Sequence, residues 1–143
     1  MSNSVTIDLR EVRLMMKALG DFQTAIPQLV MRIGLLVKSS IIERVQKRGM
    51  GIDKALSKYS IASIAKRKAG GRQVGFKDLT YTGRMMNSIT VMGDRNKAVI
   101  AFGSKSEENK ALGHEARGDR FFGIGNTEAV VINKEIEKAW SKL

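Results

Sequence analysis

The fold class is indicated by the stretch ITVMGDRNKAVIAF, residues 89–102. Two short runs rich in apolar and β-branched residues, 89–92 and 98–102, flank the turn-forming cluster 93–97. Such a pair of runs around a turn predicts an antiparallel β-hairpin. The surrounding sequence carries helical patterns but no repeated strand–helix–strand unit. We therefore predict an α+β fold with a small antiparallel sheet.

The longest helical pattern lies upstream of the hairpin, from about Pro27 to Lys47. Proline suits the first turn of a helix, and Gly49 suits the position just after its end. Apolar residues recur at steps of three and four and form one stripe, which consists of Val30, Ile33, Val37, Ile41 and Val45. We expect this long helix and the C-terminal helix to pack on the sheet.

Two shorter elements are predicted before the long helix. Val5–Leu9 alternates apolar and polar residues, which is the period of a half-buried strand. Arg10–Leu19 can form a short helix that ends at Gly20. Asp21 and Thr24 then offer oxygens that could cap the next helix.

The segment between the long helix and the hairpin predicts two more helical pieces and a loop. Ser60 can cap a helix that ends near Ala69. Residues 72–77 follow neither a helical nor a strand period, and we predict an exposed, mobile loop there. Thr82 is a suitable N-cap for a turn of helix over residues 83–88.

The chain ends in another predicted helix. After the polar stretch 104–110, this helix begins near Asn126. Its expected apolar face consists of Ala129, Ile132, Ile136, Ala139, Trp140 and Leu143. A length of 143 residues is typical of one domain with its own core. We therefore treat residues 1–143 as a single domain.

Positive charge is the extreme feature of the composition. The formal net charge is +11, and residues 38–84 carry twelve Lys and Arg against three Asp and Glu, so nine of the eleven charges lie there. A local basic field implies an anionic neighbour. The strongest cluster is Lys66-Arg67-Lys68 with Arg72. We expect Ile61 and Ile64 to anchor the opposite side of this helix, so that the four cations form a DNA-facing or docking surface.

Residues that carry chemistry are scarce. The chain has no cysteine, and His114 is its one histidine, with Glu115 beside it pointing elsewhere on a helix. Neither a nucleophile elbow nor a phosphate-binding loop is present. We predict that the protein is not an enzyme, has no catalytic, cofactor or metal site, and does not enter a membrane. The apolar stretch Ile26–Val37 is short of the ~20 residues that a membrane span needs.

Two segments resemble a known family. The first is LTYTGRMMNSI, residues 79–89, and the second is ALGHE, residues 111–115, followed by RFFG at 120–123. Together with Lys58-Tyr59-Ser60 upstream and the helix downstream, they resemble the tail-completion and virion-morphogenesis proteins of tailed bacteriophages, the head–tail joining or neck family. The likeness covers about residues 30–140. The chain departs from the family pattern at Asp119, where a proline is usual.

The resemblance implies a building block. Such a subunit would form a ring with copies of itself, a hexamer by family likeness, between the head connector and the tail. It would complete the tail, help join it to the DNA-filled head, and reside in the virion after assembly in the bacterial cytoplasm. The motif residues would then be structural: Thr82, Gly83, Arg84, Ser88, Arg120, Phe122 and Gly123.

The partners implied are the neighbouring connector and tail proteins, with non-specific contact to packaged DNA. The basic region would face either that DNA or acidic neighbouring subunits, and the sequence does not choose between them. The alternative function is a basic, sequence-tolerant nucleic-acid-binding protein. Only Tyr59 and Phe76 lie near the basic cluster as stacking aromatics, which argues against base-specific recognition.

Overall fold

The computed structural model describes residues 9–80, 82–94 and 96–142 of the chain. Five helices and two strands make up this part, in the order α1 (Leu9–Arg48), α2 (Ile61–Ala69), α3 (Arg84–Asn87), β1 (Ile89–Gly93), β2 (Ala98–Phe102), α4 (Lys105–Ala116) and α5 (Asn126–Ser141). The predicted α+β class is confirmed. Of the predicted strand Val5–Leu9, residues 5–8 lie outside the described residues, and Leu9 is the first residue of α1.

The predicted break between two N-terminal helices is wrong, because α1 is one helix that contains both Gly20 and Pro27. Thr24 is not a cap: its hydroxyl donates to the carbonyl of Gly20, 2.9 Å away, inside the helix. Pro27 has no N–H for the carbonyl of residue 23, a loss that can cost about 3 kcal/mol in a helix interior. Something outside the local sequence must therefore keep α1 continuous.

The helix α5 supplies that support, because it lies antiparallel along α1 and contacts it on both sides of Pro27. Before the proline, Phe22 meets Trp140 edge to face, with ring centroids 5.3 Å apart. After it, Arg32 Nε lies 3.0 Å from Glu135 Oε2. Tertiary packing of this kind overrides a local break signal.

The second half of α1 matches its prediction. Val37, Ile41 and Val45 are buried, and the helix ends at Arg48 before Gly49, whose φ of +62° is the left-handed conformation that favours glycine. This stripe of α1 joins the core, which is completed by residues from α3, β1, α4 and the loop after α4. The members of that core are Val45, Leu56, Met85, Met86, Ile89, Ala111 and Phe121.

The hairpin forms as predicted, with Ile89 opposite Phe102 and Gly93 opposite Ala98. Asp94 closes its turn by accepting hydrogen bonds from the backbone N–H groups of Asn96 and Lys97. The hairpin packs against α1 at Gly34. A Cβ at that glycine would lie 2.8 Å from Ala98 Cβ and 2.8 Å from Val91 Cγ1, so the hairpin approaches α1 as closely as glycine allows.

No helix is predicted for the polar stretch 104–110, but it lies mostly in α4. This helix begins after Ser104, because that hydroxyl accepts a hydrogen bond from the N–H of Glu107. The turn of helix after Thr82 is shorter than predicted. Its N-cap is Gly83 (φ +83°), and Thr82 Oγ1 accepts only a long 3.4 Å bond from the N–H of Arg84.

The apolar face predicted for α5 is also wrong in part. Ile136 and Trp140 remain 42% and 52% exposed, whereas Glu128 and Glu135 are buried toward α1. The α5 positions that face α1 therefore include two glutamates paired with arginines. Leu143 lies outside the described residues.

Candidate interaction surfaces

Arg67 is not part of an exposed basic surface, so this part of the predicted cluster is wrong. Arg67 is only 5% exposed, and its Nη2 lies 3.1 Å from Asp78 Oδ1. Two further hydrogen bonds, each 2.8 Å, run from the guanidinium to the carbonyls of Gln73 and Thr80. Of the two predicted anchors, Ile61 is 89% exposed and Ile64 is half-buried, and Arg67 is the buried residue of α2. Lys66, Lys68 and Arg72 remain on the surface.

Tyr59 completes the arrangement around Arg67. Its hydroxyl donates to Asp78 Oδ1 at 2.8 Å, and the Arg67 guanidinium lies over its ring, 4.5 Å from the centroid. Burial raises the pKa of the Tyr59 phenol, so the proton of this hydrogen bond stays in place at neutral pH. One face of the Tyr59 ring is therefore occupied within the chain.

The loop 72–77 has no helix or strand, as predicted, but side chains tie it down. Gln73 accepts from the N–H of Gly75 and donates to Asp78 Oδ2, both at 2.9 Å. At the other end of the loop, Lys77 Nζ lies 2.7 Å from Asp119 Oδ2. That the loop is mobile stays a prediction.

Asp119 forms a second buried charged cluster, at the position where the chain departs from the family pattern. Its carboxylate accepts from the Ser57 N–H at 2.8 Å and the Ser57 hydroxyl at 2.7 Å, besides Lys77. Burial raises the pKa of this carboxyl, but the hydrogen bonds from Lys77 and Ser57 outweigh burial and hold the pKa at about 2. The cluster joins the segment after α1 to the loop after α4.

The family-motif residues are mostly structural in their contacts. Ser88 Oγ donates to the Met85 carbonyl at 2.8 Å, and the ring of Phe122 lies 4.6 Å from that of Phe102. A Cβ at Gly123 would lie 2.6 Å from Ile52 Cδ1, so a side chain there would require the end of Ile52 to move. Arg120 is exposed, with its Nε 3.8 Å from Glu115 Oε1.

Arg84 differs from the other motif residues because it lines an open cleft. The cleft, between α3 and α4, has a volume of about 570 Å³ and we name it the α3–α4 cleft. Its polar and charged lining consists of Thr82, Arg84, Ser106, Asn109, Lys110, His114 and Arg117. A smaller cleft of about 240 Å³ adjoins α2 and shares Leu79 and His114 with it. Among the described residues, no carboxylate lines either cleft.

His114 stands at the wall between the two clefts. Its Nδ1 lies 3.2 Å from Arg117 Nη2, and its ring meets Phe121 edge to face. Burial lowers its pKa, and the positive charges of Arg117 and Lys77 lower it further, against a smaller opposite effect of Asp119. The imidazole is therefore neutral at pH 7. Within the described ranges, no group of three or more His, Cys, Asp or Glu could hold a metal ion.

The first part of α1 presents an exposed apolar surface. Because α5 ends at Ser141, one residue after the Trp140 that touches Phe22, residues 9–21 extend beyond it. We name residues 9–21 the overhang, a length of about 20 Å at 1.5 Å per residue. From residue 14 on, where the structure describes the side chains, its large apolar side chains are half to two-thirds exposed: Leu14, Met15, Met16 and Leu19.

The helix segment Leu14–Arg48 is also long and apolar enough, by length and composition, to cross a bilayer. The core helix of a protein that stays in water can meet the same criterion, and this segment carries the buried Val37, Ile41 and Val45.

The chain matches no protein-family model, no curated protein and no solved structure.

Proposed function

We propose that this protein is a structural subunit of a phage neck or upper tail, where it forms a ring of copies that completes the tail and helps join it to the head. The likeness of residues 79–89 and 111–123 to the neck family suggests this role. The observation that carries the proposal is the overhang. An exposed run of large apolar side chains is the kind of surface that marks a protein–protein interface.

The distribution of charge favours a second copy as the occupant of the overhang. Each copy carries +11, so two copies repel each other unless they meet where the charge is low. The overhang is nearly neutral, because residues 9–21 carry three cations, Arg10, Arg13 and Lys17, against two acids, Glu11 and Asp21. Contact through this end of α1 keeps the basic region, residues 38–84, apart from its counterpart. Such a contact closes a ring when the overhang of each copy lies on a different surface of the next copy and every contact is related by the same rotation.

Sedimentation of the full chain over a range of concentrations tests the proposal. We expect a discrete oligomer that the double variant Leu14→Glu/Met15→Glu shifts to monomer. Ile61→Glu is the matched control, because it places the same charge on an apolar side chain that is 89% exposed but lies on α2. A wild-type chain that is monomeric at all concentrations and floats with lipid vesicles through α1 would overturn the proposal in favour of membrane attachment.

A further inference from the structure

The α3–α4 cleft has the chemical character of an anion site. Arg84, Lys110 and Arg117 line it from two different helices and the turn after α4, together with the donors Ser106 and Asn109. Lys110 Nζ forms an ion pair with Glu107 Oε1, 2.9 Å away. The Arg84 guanidinium has no ion pair with any described residue. Unbalanced cations in a concave site raise the local concentration of anions.

The adjoining cleft extends this field. It adds Lys66 from α2 and the hydroxyl-bearing Ser63, with His114 and Leu79 as the shared wall. The two clefts together form a basic surface that crosses from α2 to α4, and we name it the joined cleft. A single carboxylate or phosphate would fill only one part of it. A chain of repeated anionic groups can occupy both parts.

We propose that the joined cleft binds the phosphate groups of a nucleic-acid strand, with Arg84 and Arg117 as the main phosphate contacts. A positively charged groove that follows the backbone is how proteins hold single strands without reading sequence. Arginine clusters can also hold acidic peptide motifs, so poly-glutamate is a comparison ligand in the test below. The cations spread over two adjoining clefts favour a strand of evenly repeated phosphates.

This site differs from the basic surface that the sequence predicts. Of the earlier cluster, Arg67 is committed to Asp78, while the residues that dominate the cleft come from the family motif and from the end of α4. The inference does not depend on ring formation. Binding by the monomeric overhang variant would support the site even if the ring proposal failed, and a ring without binding would leave only the ring proposal standing.

Among the described residues that line the joined cleft, Tyr59 is half-buried and has one ring face against the Arg67 guanidinium. The cations are the main groups that a strand would meet, so affinity should come from phosphate contacts and fall steeply with salt. For single strands the slope of log K against log salt is about −0.7 for each phosphate neutralised. We expect little difference between oligonucleotide sequences of the same length.

The test measures fluorescence anisotropy of a labelled single-stranded oligodeoxynucleotide with the full chain at several salt concentrations. We expect Arg84→Gln/Arg117→Gln to weaken binding at least about tenfold and to reduce the salt slope by about 1 for each contact removed. The matched control is Lys105→Gln/Arg120→Gln, which removes two exposed cations outside both clefts. Equal loss in the control variant would overturn the assignment to this cleft.

His114 gives a second measurement, because it is the chain's one histidine and its ring has a single set of NMR signals. The groups around it are Arg117 in the turn after α4, Arg84 on α3, Lys66 on α2, and Lys77 and Asp119 on loops. A bound phosphate adds negative charge, so the oligonucleotide should raise the pKa of His114. Inorganic phosphate and poly-glutamate are the comparison ligands. An equal response to inorganic phosphate at the same concentration, or a stronger one to poly-glutamate, would contradict a nucleic-acid site.

Discussion

Arg44 on α1 and Glu128 on α5 form an ion pair in the interior, with Nη2 2.8 Å from Oε1 and side chains only 4% and 0% exposed. Ser40 Oγ also donates to the carboxylate at 2.8 Å, and the N–H of Gly125 donates at 3.1 Å. The rest of the guanidinium is satisfied by the carbonyls of Met50, Phe121 and Gly123. Every charged atom here has a partner, which is the condition for burying such a pair.

Removing one member of this pair should be strongly destabilising. We expect Arg44→Met or Glu128→Gln to lower the free energy of unfolding by about 3–5 kcal/mol, because each leaves the other charged or polar group buried without its partner. The double variant should lose less than the two single losses added together. Urea unfolding of the four proteins forms the double-mutant cycle, and additive losses would contradict coupling between the two side chains.

Stability should fall in acid through Asp119. Its folded pKa is about 2, below its ordinary value of 3.8, so its contribution is complete above pH 4 or so and is lost as pH falls toward 2. The loss amounts to about 2 kcal/mol. Denaturant unfolding between pH 2 and pH 5 measures it. Asp119→Asn should be less stable at pH 5 and should show a smaller change with pH, whereas an unchanged pH profile in this variant would contradict the assignment.

Arg67 and Lys68 are neighbours in sequence with opposite roles. We expect Arg67→Gln to cost about 3 kcal/mol of unfolding free energy, because it leaves Asp78 buried without its cation. Lys68→Gln, at an exposed position, should change stability by less than about 0.5 kcal/mol. Thermal unfolding compares the two. Equal, small effects would mean that Arg67 belongs to the exposed surface that its sequence position suggests.

Two glycines of α1 provide a matched pair. Gly20→Ala should stabilise the fold by about 0.5–1 kcal/mol, since nothing lies within 4 Å of the new Cβ and alanine is the better helix former. Gly34→Ala should instead destabilise it by about 1–2 kcal/mol, because the new Cβ would press on Ala98 and Val91 at the hairpin. Urea unfolding measures both changes. The same sign for both would contradict the close contact between α1 and the hairpin.

Elements set by short-range pattern could be predicted from the sequence. The hairpin turn closes through Asp94, two and three residues from its hydrogen-bond partners, and Ser60 caps α2 through the residue three positions on. The stripe ending at Val45 follows from helical periodicity alone. These features depend only on residues a few positions apart in the sequence, so the local sequence is enough to predict them.

The errors have non-local causes. Pro27 signals a helix start, yet α5 contacts α1 on both sides of it and keeps the helix continuous. Glu128 reads as a first-turn acid, but its partner Arg44 lies 84 residues earlier in the chain. From its position in the sequence, Arg67 is expected to be one of three surface cations, but in the fold it is buried and paired with Asp78. The cleft lined by Arg84 and Arg117 was not predicted, because residues from two separate helices and from the turn after α4 form it. The one sequence feature that pointed to it was that both arginines lie in or near the two family-like segments.

A permanent structural role in a virion can be checked by quantitative mass spectrometry of purified infectious particles from cells that carry this gene. We expect the chain in every preparation, at a fixed low copy number consistent with one ring per particle. Its absence from infectious particles, with the protein left in the cell lysate, would contradict that role.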